Sequence, residues 1–135
     1  MFTSNSAEET KKIGCVYGAR AKAGEIYCLT GELGAGKTVF AKGFAEGFAV
    51  DTGTDIVSPT FIIVNEYKGR APFFHFDAYR CGPEDMFEIG FDEYIDSGGV
   101  LLIEWADRIA ELLPPSCVWV NITKDPRREN IRYID

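Results

Sequence analysis

An α/β fold, with a mixed and mostly parallel sheet flanked by helices, is the architecture this sequence predicts, on three observations. Short β-like runs are interspersed with helical patterns along the chain, Val100-Leu101-Leu102-Ile103 is apolar at every position, and no internal repeat is present. A run apolar on both faces belongs inside a sheet covered by helices on each side, where most strands are parallel and some antiparallel members are accommodated. No stretch reads as a linker between two units, so residues 1–135 are expected to form a single domain.

The elements follow in order. Ser6 with Glu9 three residues later has the form of a capping box, and Ile13, Val16, Tyr17 and Arg20 then recur at helical spacing up to Gly24, which predicts a first helix. Residues 25–30, Glu-Ile-Tyr-Cys-Leu-Thr, are rich in β-formers. A glycine-rich turn comes next, and residues 37–48 carry Val39, Phe40, Phe44 and Phe48 at helical spacing, so this stretch reads as strand, loop and helix. Further strands are predicted at 60–67, 73–77 and 100–104, with one or two short helices led by Pro83 between the last two. Residues 106–113 form another helix that Pro114-Pro115 stops, and two strands at 117–123 and 130–134 complete the chain.

Composition narrows the function. Hydrophobic residues make up 46% and charged residues 26% of the 135, which excludes a disordered tail or a fibrous repeat. No apolar stretch approaches the roughly 20 residues that span a bilayer, and the first residues lack the basic and apolar regions of an export signal, so a cytoplasmic protein without membrane contact is expected. Cys15, Cys28, Cys81 and Cys117 are widely spaced and form no C-x-x-C pair, which reads as small hydrophobes in a reduced protein. The net charge of -7 is concentrated: Glu84, Asp85, Glu88, Asp92, Glu93, Asp96, Glu104 and Asp107 face a single base, Arg108, while acids and bases cancel elsewhere. The basic tail of Lys124, Arg127, Arg128 and Arg132 is diluted by Asp125 and Glu129, which disfavours autonomous nucleic-acid binding. The acidic block reads as a solvated face or as a dock for a basic partner.

Gly31-Glu32-Leu33-Gly34-Ala35-Gly36-Lys37-Thr38 matches the phosphate-binding loop G-x-x-x-x-G-K-[ST] in full, between a predicted strand and a predicted helix. Glycines let successive backbone N–H groups converge on an anion, and the helix start adds the positive end of its dipole. Lys37 can then reach β- and γ-phosphates, and the Thr38 hydroxyl can ligate Mg²⁺. Phosphoryl transfer also needs a carboxylate at a strand end, for which Asp77 and Glu104 both qualify, each following apolar β-like residues. Ser58-Pro59-Thr60-Phe61 lies where such proteins carry a loop that senses the γ-phosphate, although Ser-Pro is also an ordinary turn. His75 is the only histidine and reads as hydrogen-bonded structure rather than a zinc ligand. Trp105 and Trp119 read as core or rim aromatics, Trp105 being next to Glu104.

Four motifs in this order, Gly31-Glu-Leu-Gly-Ala-Gly-Lys-Thr38, Ser58-Pro-Thr-Phe61, His75-Phe-Asp-Ala-Tyr-Arg80 and Ile103-Glu-Trp105, resemble the bacterial TsaE (YjeE) family over nearly the whole chain. The resemblance implies a P-loop NTPase fold and a small Mg²⁺-dependent ATPase, slow by itself, required for threonylcarbamoyladenosine modification of tRNA. It also implies a two-subunit partner of the TsaD and TsaB type, with tRNA reached only through the partners. By resemblance, ATP is bound by Thr10 near the adenine and by Glu32, Leu33, Gly34, Ala35, Gly36, Lys37, Thr38 and Val39. Thr38 and Glu104 would serve the metal, Glu104, Asp77 and Lys37 the catalysis, and Ser58, Pro59, Thr60 and Phe61 a switch loop. A family arginine near the C-terminus matches either Arg128 or Arg132. Val39, Cys81 and Ala106-Asp107 depart from the residues common at those positions in the family, and none of these removes a phosphate or metal ligand.

Two other classes compete with an accessory ATPase. A GTPase would show Asn-Lys-x-Asp, and Asn121-Ile-Thr-Lys-Asp125 has the wrong spacing. A small-molecule kinase usually has an arginine-bearing lid, and no basic lid separates the motifs. A nucleotide-dependent assembly switch with negligible turnover uses the same ligands and is not separated from an ATPase by the sequence.

Overall fold

The chain passes through β1 (Phe2–Ser4), α1 (Ala7–Arg20), β2 (Ile26–Thr30), α2 (Lys37–Gly47), β3 (Val64–Lys68), β4 (Pro72–Asp77), α3 (Pro83–Glu88), α4 (Phe91–Asp96), β5 (Val100–Glu104), a 3₁₀ segment (Ala106–Leu112), β6 (Val118–Lys124) and β7 (Arg132–Ile134). The structure is a computed structural model and describes residues 1–50 and 64–135. All the described strands join one sheet in the order β1-β7-β6-β2-β5-β4-β3. The central strands β6, β2, β5 and β4 are parallel, and the pairs β3–β4, β6–β7 and β1–β7 are antiparallel. This is the predicted mixed sheet with its parallel centre. No described helix is long and apolar enough to cross a membrane.

Side chains alternate between the faces of a strand, and here both faces are covered. Tyr27, Leu29, Phe73, Val100, Leu102, Val120 and Ile122 pack with Phe40 and Phe44 of α2 and with Phe48, which follows it. Ile26, Cys28, Phe74, Phe76, Leu101 and Ile103 pack on the opposite side with Met86, Phe91 and Ile109 from α3, α4 and the 3₁₀ segment. The parallel strands therefore deliver their carboxyl ends, Thr30, Asp77 and Glu104, to one edge.

The first helix is shorter than its apolar spacing predicts, ending at Arg20 rather than reaching Gly24. Ser6 is its cap and accepts from Glu9 N–H at 3.1 Å, but the Glu9 carboxylate reaches Asn5 N–H, one residue before the cap. Its tightest seam is not the apolar one. A Cβ on Gly14 or Gly18 would stand 2.3 or 2.0 Å from the carbonyl oxygen of Phe40 or Phe44, and one on Gly43 or Gly47 would stand 1.9 or 2.0 Å from that of Lys11 or Cys15. Only glycines let the two backbones approach this closely. Arg70, in the β3–β4 turn, donates to the carbonyls of Gly47, Gly18 and Ala21 at 2.9, 3.0 and 2.8 Å and so ties down the carboxyl ends of both helices.

Two further differences from the sequence expectation stand out. β1 was not anticipated, because three residues are too few to show a period; it pairs with β7, the other end of the chain. The predicted helix at 106–113 is a 3₁₀ segment interrupted by non-helical backbone at Ile109. Of the strand predicted at 60–67, the described part begins at Val64. The residues Ser58, Pro59, Thr60 and Phe61 lie outside the described residues.

Candidate nucleotide-phosphate site

The loop between β2 and α2 needs backbone that side chains resist. Gly31, Gly34 and Gly36 have φ of 150°, 79° and 109°, in the region glycine enters without steric cost. Gly36 caps α2 without a side chain, so the first N–H groups of the helix face no capping oxygen, which is how an anion-binding helix start is built. Arg132 braces the outer side of the loop, donating from Nε to Ala35 O at 2.9 Å and from Nη2 to Gly34 O at 3.5 Å. Arg128 instead pairs with Asp125 at 3.1 Å. Of the two tail arginines that the sequence left open, Arg132 is therefore the one that touches the loop. Asp125 ties the tail together: the Tyr133 hydroxyl, with Arg127 and Arg128 N–H groups, holds its carboxyl well below the usual carboxylate range.

Lys37, 5% exposed, folds back along the loop and donates to Gly31 O at 2.6 Å and Glu32 O at 2.8 Å. Its ammonium also sits 4.0 Å from the centre of the Trp105 ring, within cation–π range. Burial lowers its pKa, and the nearby Glu104, Asp77 and Asp107 act against that shift. Trp105 itself has φ of 59°, a left-handed conformation unusual for a bulky residue, and its ring packs on Tyr79 at 4.7 Å between centroids. The turn that follows Glu104 is thus strained beside the residues that carry charge.

Asp77 and Glu104 are paired across β4 and β5. The Thr38 hydroxyl donates to Glu104 Oε1 at 3.4 Å, so the first turn of α2 and the end of β5 converge on one carboxylate. Glu104 is 3% exposed, and its other oxygen, Oε2, lies 2.6 Å from His75 Nε2. Asp77 spends one oxygen on the turn after its strand, where Oδ1 accepts from Tyr79 N–H at 2.9 Å. That is the turn-capping role an acid at a strand end commonly takes.

The other residues singled out by sequence are arranged around this centre. Glu32, Leu33 and Gly34 are exposed on the loop and Val39 is half-buried. Thr10 is buried on α1, its hydroxyl 2.7 Å from Ser4 Oγ, and its methyl would touch a Cβ placed on Gly36 at 3.7 Å. Trp119 is 45% exposed on β6. Sequence reasoning missed one participant, His75 as the partner of Glu104, and left Arg132 undivided from Arg128. The signal for His75 was its spacing: two residues before Asp77 on a strand, it shares the face on which the acid lies.

Comparison with known proteins gives the family and the fold. The family model described as "Threonylcarbamoyl adenosine biosynthesis protein TsaE" matches residues 4–132. The tRNA threonylcarbamoyladenosine biosynthesis protein TsaE of Bacillus subtilis (strain 168) is 47% identical over 126 residues, covering 90% of this chain and 77% of that protein. The protein of the same name from Treponema pallidum (strain Nichols) is 40% identical over 120 residues, covering 88% and 87%. The crystal structure of Bacillus subtilis YdiB superposes with a TM-score of 0.79 at 40% identity, covering 98% of this chain and 80% of that one. With a glycine loop between β2 and α2, a sheet of matching fold and a family model spanning nearly all its length, this chain belongs to the TsaE family, and its fold is of the P-loop type.

Proposed function

We propose that this protein is a Mg²⁺-dependent ATPase that serves threonylcarbamoyladenosine modification of tRNA in the cytoplasm, acting with a transferase heterodimer of the TsaD and TsaB type. The observation that carries the nucleotide reading is the convergence of Thr38 Oγ1 and Glu104 Oε1, 3.4 Å apart, immediately beyond a buried Lys37 and an uncapped helix start. A hydroxyl and a carboxylate on hard oxygen atoms suit Mg²⁺, and an open helix start with a buried ammonium suits phosphate, so the residues fit Mg·ATP. When bound, Mg²⁺ would offset charge on the phosphate oxygens. Lys37 would exchange the carbonyls of Gly31 and Glu32 for phosphate oxygens, Thr38 and Glu104 would hold the metal, and Asp77 would join Glu104 in orienting water. The modification role rests on family membership, the names of the relatives placing them in that biosynthesis.

Calorimetric titration with ATP and ADP, alongside phosphate release with and without the partner heterodimer, tests the assignment. Lys37→Ala is expected to abolish hydrolysis and to weaken ATP binding at least tenfold more than ADP binding, because an ammonium at this place in a P-loop pairs chiefly with β- and γ-phosphates. Equal losses for the two nucleotides would remove Lys37 from the γ-phosphate, and no nucleotide binding by the unsubstituted protein would defeat the reading.

A further inference from the structure

We propose that His75 is a positioning residue for Glu104, holding one carboxylate oxygen so that the other is presented to Thr38 and the metal; the inference rests on the nucleotide reading above. His75 is fully buried on β4 between Phe74 and Phe76, a strand position that an apolar side chain would fill at no polar cost. Its Nε2 lies 2.6 Å from Glu104 Oε2, a short contact for a charge-assisted bond. A carboxylate has only acceptors, so Nε2 carries the hydrogen and donates. Nδ1 is buried without a hydrogen-bond partner among the described residues, so the only polar contact that compensates burial of this ring there is the one to Glu104.

The arrangement answers a mechanical need. A glutamate has one more side-chain torsion than an aspartate, and its terminal carboxylate rotates over a broad, roughly two-fold range. With Oε2 held by His75 on β4 and Oε1 facing Thr38 on α2, the carboxylate plane is set from two elements. The anchor is rigid, because β4 and β5 are paired through Phe73–Asp77 and Val100–Glu104 in the middle of the sheet. Partners that orient a metal-binding carboxylate in this way are worth about 10- to 100-fold in metal affinity.

The test measures Mn²⁺ binding by electron paramagnetic resonance to the whole protein saturated with a non-hydrolysable ATP analogue, beside metal-free ADP affinity. His75→Leu is expected to weaken Mn²⁺ about 10- to 100-fold while ADP affinity without metal changes less than about twofold. His75→Gln, whose amide N–H can reach where Nε2 stood, is expected to recover most of the loss. Unchanged Mn²⁺ affinity in His75→Leu, or equal losses in the Leu and Gln variants, would overturn the proposal. If His75→Leu does not fold, His75→Asn replaces it, its amide being too short to reach Glu104, and equal Mn²⁺ affinity in the Asn and Gln variants overturns the proposal in the same way. A parent protein that takes up no Mn²⁺ with the nucleotide defeats the nucleotide reading itself, an outcome distinct from a parent that binds metal and a variant that binds it equally well.

Discussion

At the scale of single residues, the chemistry gathers on one carboxylate. Glu104 is contacted by Thr38 through one oxygen and His75 through the other, and it is nearly inaccessible to water. Asp77, its cross-strand neighbour, keeps one oxygen on the Tyr79 turn. Glu104→Gln preserves shape and removes charge. ATP should still bind, and phosphate release measured with partners present should fall by about 10² or more, the scale of losing one electrostatic or acid–base contribution. Asp77→Asn should also slow turnover, and if the two acids form one cluster the double variant will lose less than the product of the two single losses. Near-normal turnover in Glu104→Gln would shift the catalytic role to Asp77.

At the scale of elements, α1 and α2 behave as one unit because glycines form their seam. Ordinarily Gly→Ala inside a helix stabilises by up to about 1 kcal/mol. Here the new methyl of Gly43→Ala would sit 1.9 Å from Lys11 O, against backbone that cannot turn aside. The helices must separate, and the expected outcome is a net loss of about 1–3 kcal/mol, the usual scale of overpacking, read as a lowered Tm. Gly82→Ala is the control, since a Cβ there meets nothing within 4 Å and its φ of -113° suits any residue. A Tm for Gly43→Ala equal to that of the control would show that the seam is looser than it stands here. Because Lys37 and Thr38 begin α2 and Thr10 lies on α1, separating the helices should also weaken nucleotide binding.

For the molecule as a whole, most of the acidic excess is displayed on two short helices. Glu84, Asp85, Glu88, Asp92, Glu93 and Asp96 are exposed on α3 and α4, whereas Glu104, the acid at the end of β5, is buried in the site. Asp85 is committed to the start of α3, accepting from Gly82 N–H at 2.8 Å. Phe87 projects from the same short helix at 82% exposure, an apolar side chain in an acidic setting. A partner with a basic surface fits this face, so Glu88→Lys with Asp92→Lys should slow association with the transferase heterodimer at low salt and leave ATP affinity unchanged. Stopped-flow association rates that ignore both reversals would reduce the block to a solvated face.

The sequence by itself determined the strand–loop–helix of the candidate phosphate site, the buried β5 strand with Glu104 at its end and the covering of the sheet by helices on both faces. These features depend on contiguous residues: glycines that permit positive φ, an apolar run, a lysine and threonine at a helix start. The short β1 and the early end of α1 were illegible, since three residues show no period and nothing in the local spacing marks Ala21, whose ψ of 138° is extended, as the residue that stops the helix. The tertiary structure alone decided which side chains meet. That His75 holds Glu104 follows from the β4–β5 register, which aligns His75 with Leu102 and Asp77 with Glu104. That Arg132 rather than Arg128 braces the loop follows from β7, which pairs with β6 and sets Arg132 opposite Lys124, while Asp125 draws Arg128 away. The contacts of His75 with Glu104 and of Arg132 with Ala35 join residues 29 and 97 positions apart, and they depend on strand register, to which local spacing is blind.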